Sequence, residues 1–183
     1  MISCRLALAG GLLGLFSVSA ANAQMSITTI GATDAVSCYQ NAEDGISKDV
    51  GPCDMALKKG DLNPTDKKKT LVNRGIIHNR NGDVQDAIDD FNAALGIDPD
   101  LAEAFLNRGN SHLLAGRPDD ALVDYQKSLD FELNKPWVAW YNIGLAYEAK
   151  KDAANARTAY QKALEINPDF TQAQMKLDAL GDG

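Results

Sequence analysis

The sequence predicts an all-α protein built of stacked antiparallel helix pairs, and three observations predict it. Glycine recurs at 75, 109 and 144; alanine follows each glycine by twelve residues (Ala87, Ala121, Ala156); an aromatic follows each alanine by four (Phe91, Tyr125, Tyr160). The glycines are 34 and 35 residues apart, set in Leu71-Val72-Asn73-Arg74-Gly75, Phe105-Leu106-Asn107-Arg108-Gly109 and Trp140-Tyr141-Asn142-Ile143-Gly144. In the first unit Leu71, Gly75 and His78 fall on one face of a helix, and Ala87, Phe91 and Ala94 on one face of the next. Asn81-Gly82 and Gly116-Arg117 break the chain between such helices, and Asp83 stands where it can cap the second. Glycine and alanine let the two helices approach while the aromatic fills the space beside them. Each pair then needs a neighbour over its open face, which makes a solenoid.

These recurring marks resemble the tetratricopeptide repeat, whose W-L-G-Y…A…F…P pattern has a 34-residue period. The resemblance covers about residues 66–170 and implies a right-handed superhelix with repeats at 66–101, 102–136 and 137–170. The second unit departs from the pattern, with Leu133 where the others have proline and one extra residue within 131–136. Phe170, Ala173, Leu177 and Leu180 share a helical face, so 171–183 reads as a C-terminal capping helix and tail. Gly51-Pro52 opens a short helix through Lys59 that Gly60 stops, and Asn63-Pro64 opens the first repeat helix. Residues 38–65 therefore read as an N-terminal cap, and 24–37, which lack periodicity, as a flexible tail.

Residues 1–23 combine Arg5, an apolar run from Leu6 to Val18 and Ala21-Asn22-Ala23, the pattern of a cleaved signal peptide with Gln24 as the mature start. The run is shorter than the ~20 residues of a spanning helix, so a periplasmic or secreted protein without stable membrane insertion is expected. Cys38 and Cys53 remain after cleavage, and an even count in an exported chain reads as one disulfide. A metal-binding or redox pair lacks both C-x-x-C spacing and a neighbouring histidine. The formal charge of −7 argues against nucleic acid as a partner.

No pattern for a nucleophile elbow, a phosphate loop or a zinc protease is present, so the sequence reads as non-enzymatic, with no cofactor and no metal. His78 and His112 read as packed between helices. Asn73, Asn107 and Asn142 each stand two places before the unit's glycine. The resemblance implies that this face lines a concave groove, where a carboxamide offers a donor and an acceptor to a peptide unit. The alternative is that these amides bond to a neighbouring repeat or to water. Val72, Ile76, Leu106, Asn110, Leu113, Tyr141 and Leu145 are expected to share the groove. The place before each asparagine, where a carboxylate clamp has lysine, holds Val72, Leu106 and Tyr141, which argues against capture of an acidic C-terminus. Arg74 and Arg108 face Asp90 and Asp124 sixteen residues on, and both partners turn apolar together in the third unit (Ile143, Ala159), the pattern of ion pairs across a helix pair. Lys67-Lys68-Lys69 reads as a solvated face, and Trp137 as an exposed lip or as packed on Pro136 or Phe131. The function expected is an adaptor or scaffold of the bacterial cell envelope, monomeric, binding an extended peptide of an unknown protein partner. The alternative is a structural subunit of an envelope complex or a self-associating protein.

Overall fold

The computed structural model describes residues 30–181, and the expected leader, 1–23, lies outside them. Among the described residues there are nine helices and no strand: α1 (Ile30–Glu43), α2 (Gly51–Lys59), α3 (Pro64–Asn81), α4 (Val84–Ile97), α5 (Ala102–Leu114), α6 (Pro118–Asp130), α7 (Pro136–Ala149), α8 (Ala153–Ile166) and α9 (Thr171–Leu180). They pair in order as α1/α2, α3/α4, α5/α6 and α7/α8, with α9 against α8. First helices of neighbouring pairs touch one another, whereas second helices make no comparable contact. A stack held closer on one side than on the other must curve, so α1, α3, α5 and α7 line the inner face of a right-handed superhelix.

The repeated glycine has a steric reason. A Cβ built on Gly75 would lie 2.7 Å from the Phe91 ring, on Gly109 2.6 Å from Tyr125, and on Gly144 2.3 Å from Tyr160. Each ring is completely buried, as are Ala87, Ala121 and Ala156. The helix ends follow from local chemistry: the Asn63 side chain accepts from the Asp66 N–H at the start of α3, and Gly60 and Gly82 take left-handed conformations behind α2 and α3. Asp83 does not cap α4 through its side chain; its carboxylate instead lies 3.6 Å from His78 Nδ1. The extra residue of the second unit falls in the α6–α7 loop, residues 131–135, against 98–101 between α4 and α5. Phe131 from that loop stacks on Phe105 with ring centroids 5.5 Å apart.

Two expectations at the N-terminus change. Residues 30–37, assigned to the tail, form the first part of α1, while 24–29 lie outside the described residues. Ala35, Cys38 and Ala42 give α1 its helical spacing, and small residues left that stripe faint. The cap is thereby a complete helix pair. Cys38 and Cys53 are bonded, with Cα atoms 4.8 Å apart, and pack with Ala42 and Ile77. Arg80 ties the end of α1 and the following loop to α3 by donating to the carbonyls of Asn41, Ala42 and Ser47 at 2.6–3.0 Å.

The turn inside the third unit departs from the other two. Gly82 and Gly116 adopt φ of 88° and 72° between their helices, and Lys151 takes the same place with φ 61°. A side chain in the left-handed region costs about 1–2 kcal/mol. Lys151→Gly is expected to stabilise by about 0.5–1 kcal/mol, a rise in Tm of about 1–4 °C by calorimetry.

Candidate functional site

The inner face carries a groove of about 770 Å³ bounded by α1, α3 and the start of α5. Ala35, Val36 and Tyr39 form the α1 wall, Thr70, Val72 and Asn73 the α3 floor, and Leu101 and Glu103 the far side. Val36 and Tyr39 are more than half exposed although apolar. The lysine run contributes to the rim: Lys67 and Lys69 are exposed, but Lys68 is ion-paired with Asp98 at the end of α4, so the run is not a uniformly solvated face. That bond holds the Asp98 carboxyl below its ordinary pKa.

Of the residues expected in a groove, Val72 and Asn73 line this one; Val72 is buried in a cluster with Leu71 and Ala104, and Asn73 is half-buried. Leu106, Asn107, Asn110 and Leu113 continue the inner face along α5, and Tyr141, Asn142 and Leu145 along α7, but several of them bond or pack within the protein. Asn142 is buried and donates from Nδ2 to Asn110 Oδ1 at 2.9 Å across the repeat boundary. Asn110 Oδ1 also accepts from the Tyr125 hydroxyl at 3.0 Å. Asn107 Nδ2 donates to the Glu103 carbonyl one turn earlier at 2.8 Å. The asparagine row is therefore not three equivalent open amides: Asn73 faces the groove, Asn107 keeps its oxygen, and Asn142 joins two repeats. Ile76 packs between the first repeat and the disulfide, and Leu145 and Tyr141 pack beneath α9, Tyr141 edge-on to Phe170 at 5.3 Å. Leu106 and Leu113 are half-buried against the second repeat's core. Trp137 is half-buried rather than an exposed lip, packed against the cluster that holds Ala156, Tyr160, Ala163 and Ala173.

Both arginines form the ion pairs their pattern implied. Arg74 grips Asp90 through two bonds of 2.8 and 2.6 Å and reaches Asp54 on α2 at 2.7 Å. Arg108 grips Asp124 at 2.8 and 2.7 Å and reaches Asn92 on α4 at 2.6 Å. Each spans three helices and fills the outer gap between two second helices. The bond to Asp90 comes first among the causes that raise the already high pKa of Arg74.

One model described as tetratricopeptide repeat matches residues 137–170 and another matches 72–133, together more than half of the chain. The chain belongs to the tetratricopeptide-repeat family. It is 35% identical over 77 residues to superkiller complex protein 3 of Mus musculus and 32% identical over 88 residues to the chloroplastic protein PYG7 of Arabidopsis thaliana. Those matches span 42% and 48% of this chain but only 5% and 29% of the two relatives. Among solved structures, MamA superposes with a TM-score of 0.63 at 21% identity over 82% of each chain. The first tetratricopeptide domain of Spaghetti (RPAP3), bound to the HSP90 peptide SRMEEVD, gives 0.59 at 20% identity over 65% of this chain and 93% of that one. Both likenesses concern the fold.

Within the tetratricopeptide units the histidines sit beside the ion pairs. His112 Nε2 lies 3.5 Å from Asp124, and His78 Nε2 lies 3.9 Å from Asp90. Burial pulls the His112 pKa below its ordinary value, against the pull of Asp124. His78, Asp83 and Asp86 also bring three ligand atoms within 4.8 Å of one another, a grouping across the α3–α4 turn that the sequence reading did not single out. The sequence reading also missed the α1 wall. Its signal was the register itself, because Cys53 precedes Ala87 by the same 34 residues that separate Ala87 from Ala121.

Proposed function

We propose that this tetratricopeptide protein is a non-enzymatic scaffold of the bacterial cell envelope that holds an extended segment of another protein along its inner face. One observation carries the reading: the groove between α1, α3 and α5 combines exposed apolar walls at Val36 and Tyr39 with the half-buried amide of Asn73. An extended strand satisfies both features, side chains on the walls and backbone on the carboxamide. Domains of the same fold are described with peptides from HSP90 and HSP70, which supports a peptide as the occupant. Val72, Leu106 and Tyr141, in the places before the asparagines, favour an apolar segment over an acidic terminus. The leader-like residues 1–23 and a disulfide, which persists in oxidising compartments, support export and an envelope location.

A photoreactive phenylalanine analogue at Tyr39, compared with one at the exposed Val123 of α6, tests the reading in cells. A discrete adduct of another protein is expected from position 39 and none from 123. With that partner purified, Asn73→Ala is expected to weaken binding about 2- to 12-fold, the worth of one amide contact, without changing the circular dichroism. Adducts only to a second copy of the chain would replace the scaffold by the self-associating alternative. Equal labelling from both positions would remove the groove as the site.

A further inference from the structure

The outer face carries a second cavity, and the repeat explains why it exists. In the second unit Arg108 lies between α4 and α6, held by Asp124 of its own pair and Asn92 of the preceding one. The equivalent places one unit later, counted from the glycine and the aromatic, are Ile143, Ala159 and Gln126. All three line a cleft of about 290 Å³ between α6 and α8. The third gap of the solenoid has thus lost the internal side chain that fills the first two, and Ile143 is too short to replace it.

What remains is chemically specific. The floor is apolar, with Ile143 flanked by the half-buried rings of Trp140 and Tyr147. At the rim Lys162 lies over the Trp140 ring, its Nζ 4.1 Å from the centroid, and forms no ion pair among the described residues. Lys150, near Tyr147, is already paired with Asp119. Gln126 lines the α6 side and donates to Asp130. A partner's arginine would restore the shape of the missing side chain, but the acid that holds it in the other units is absent and Lys162 repels it.

We propose that this cleft is an anchor site for one large apolar or aromatic side chain of a partner protein, carried on a segment with carboxylates beside it. The side chain takes the volume that Arg108 takes one unit earlier, and the flanking carboxylate meets Lys162. The site is distinct from the inner groove and does not depend on what that groove holds.

The test uses the disulfide-bonded protein and three capped tripeptides, acetyl-Glu-Phe-Glu-amide, acetyl-Glu-Ala-Glu-amide and acetyl-Lys-Phe-Lys-amide, read by the NMR shift of the Trp140 indole N–H. Saturable shifts are expected for the first peptide, about 10- to 100-fold weaker binding without the phenyl ring, and about 3- to 5-fold weaker binding with lysine flanks. Ile143→Arg combined with Ala159→Asp rebuilds the pair of the earlier units inside the cleft and is expected to abolish the shifts while helical circular dichroism is kept. Should that double variant fail to fold, Thr158→Trp, at an exposed position on the rim, is expected to block the cleft in the same way. No shift with the first peptide at 10 mM (about ten times a ~1 mM dissociation constant), unchanged shifts in a folded blocked variant, or binding of the lysine-flanked peptide at least as tight would each overturn the proposal.

Discussion

Gly144→Leu is expected to lower Tm by about 5–10 °C, the equivalent of about 2–3 kcal/mol of overpacking in a chain of this size. Even a methyl group at 144 meets the Tyr160 ring at 2.3 Å, the tightest of the three glycine contacts. The ring has little room to retreat, since Tyr160 is fully buried and packs with the Tyr141 ring at a centroid distance of 5.6 Å. Gly96 gives the opposite sign: it stands in α4 with nothing within 4 Å of a built Cβ, so Gly96→Ala is expected to gain up to about 1 kcal/mol from helix propensity. Calorimetry of the two variants side by side separates a packing requirement from a general preference for glycine. Equal and small effects would show that the close approach of α7 and α8 is not what the glycine provides.

Replacing Cys38 and Cys53 by alanine is expected to cost about 2–5 kcal/mol locally, the range for losing a native disulfide. The loss should be confined to one end. Apart from the cysteines, the cluster joining α1 to the rest is small, with Ala42 and Ile77 buried and Ile76 and Val50 only partly so. Hydrogen exchange should therefore quicken through α1 and α2 while the amides of α5 to α8 keep their protection, because a solenoid transmits stability only between neighbours. Since Val36 and Tyr39 form one wall of the groove, the same variant should also lose partner binding without loss of the repeats. Uniform destabilisation of all helices would contradict a separately held N-terminal pair.

How much of this was legible in the sequence depended on residue size. The glycine, alanine and aromatic register announced the three central units because only close helix approach demands those residues together. The paired change of Arg108 and Asp124 to Ile143 and Ala159 gave a through-space contact from one sequence, as two partners of an ion pair lose their purpose together. Helix α1 escaped notice because alanine and cysteine carry its buried stripe, and small residues give periodicity little weight. The asparagine row was visible as a row but not as unequal. Whether an amide faces solvent depends on the residue opposite, and Asn142 meets Asn110 only because their helices pack side by side. The same dependence sets Tyr160 apart: Leu145 takes the place from which Asn110 serves Tyr125, so the Tyr160 hydroxyl lacks that amide, and its burial first and the neighbouring Glu148 carboxylate second push its pKa up.

The neighbour-only contacts of the helix pairs also set how the chain reaches its fold. The helices of the described residues that pack substantially on one another are all within two places in the chain, so assembly does not depend on distant stretches of chain finding each other. Low contact order of this kind gives collapse in microseconds to milliseconds, and any unit that forms first can recruit the next. Covalent closure of the α1–α2 hairpin runs on another clock, because thiol oxidation takes seconds to hours. The repeats are therefore standing before the cysteines join, and Ile77 of α3 is already in place as the surface on which the last pair docks.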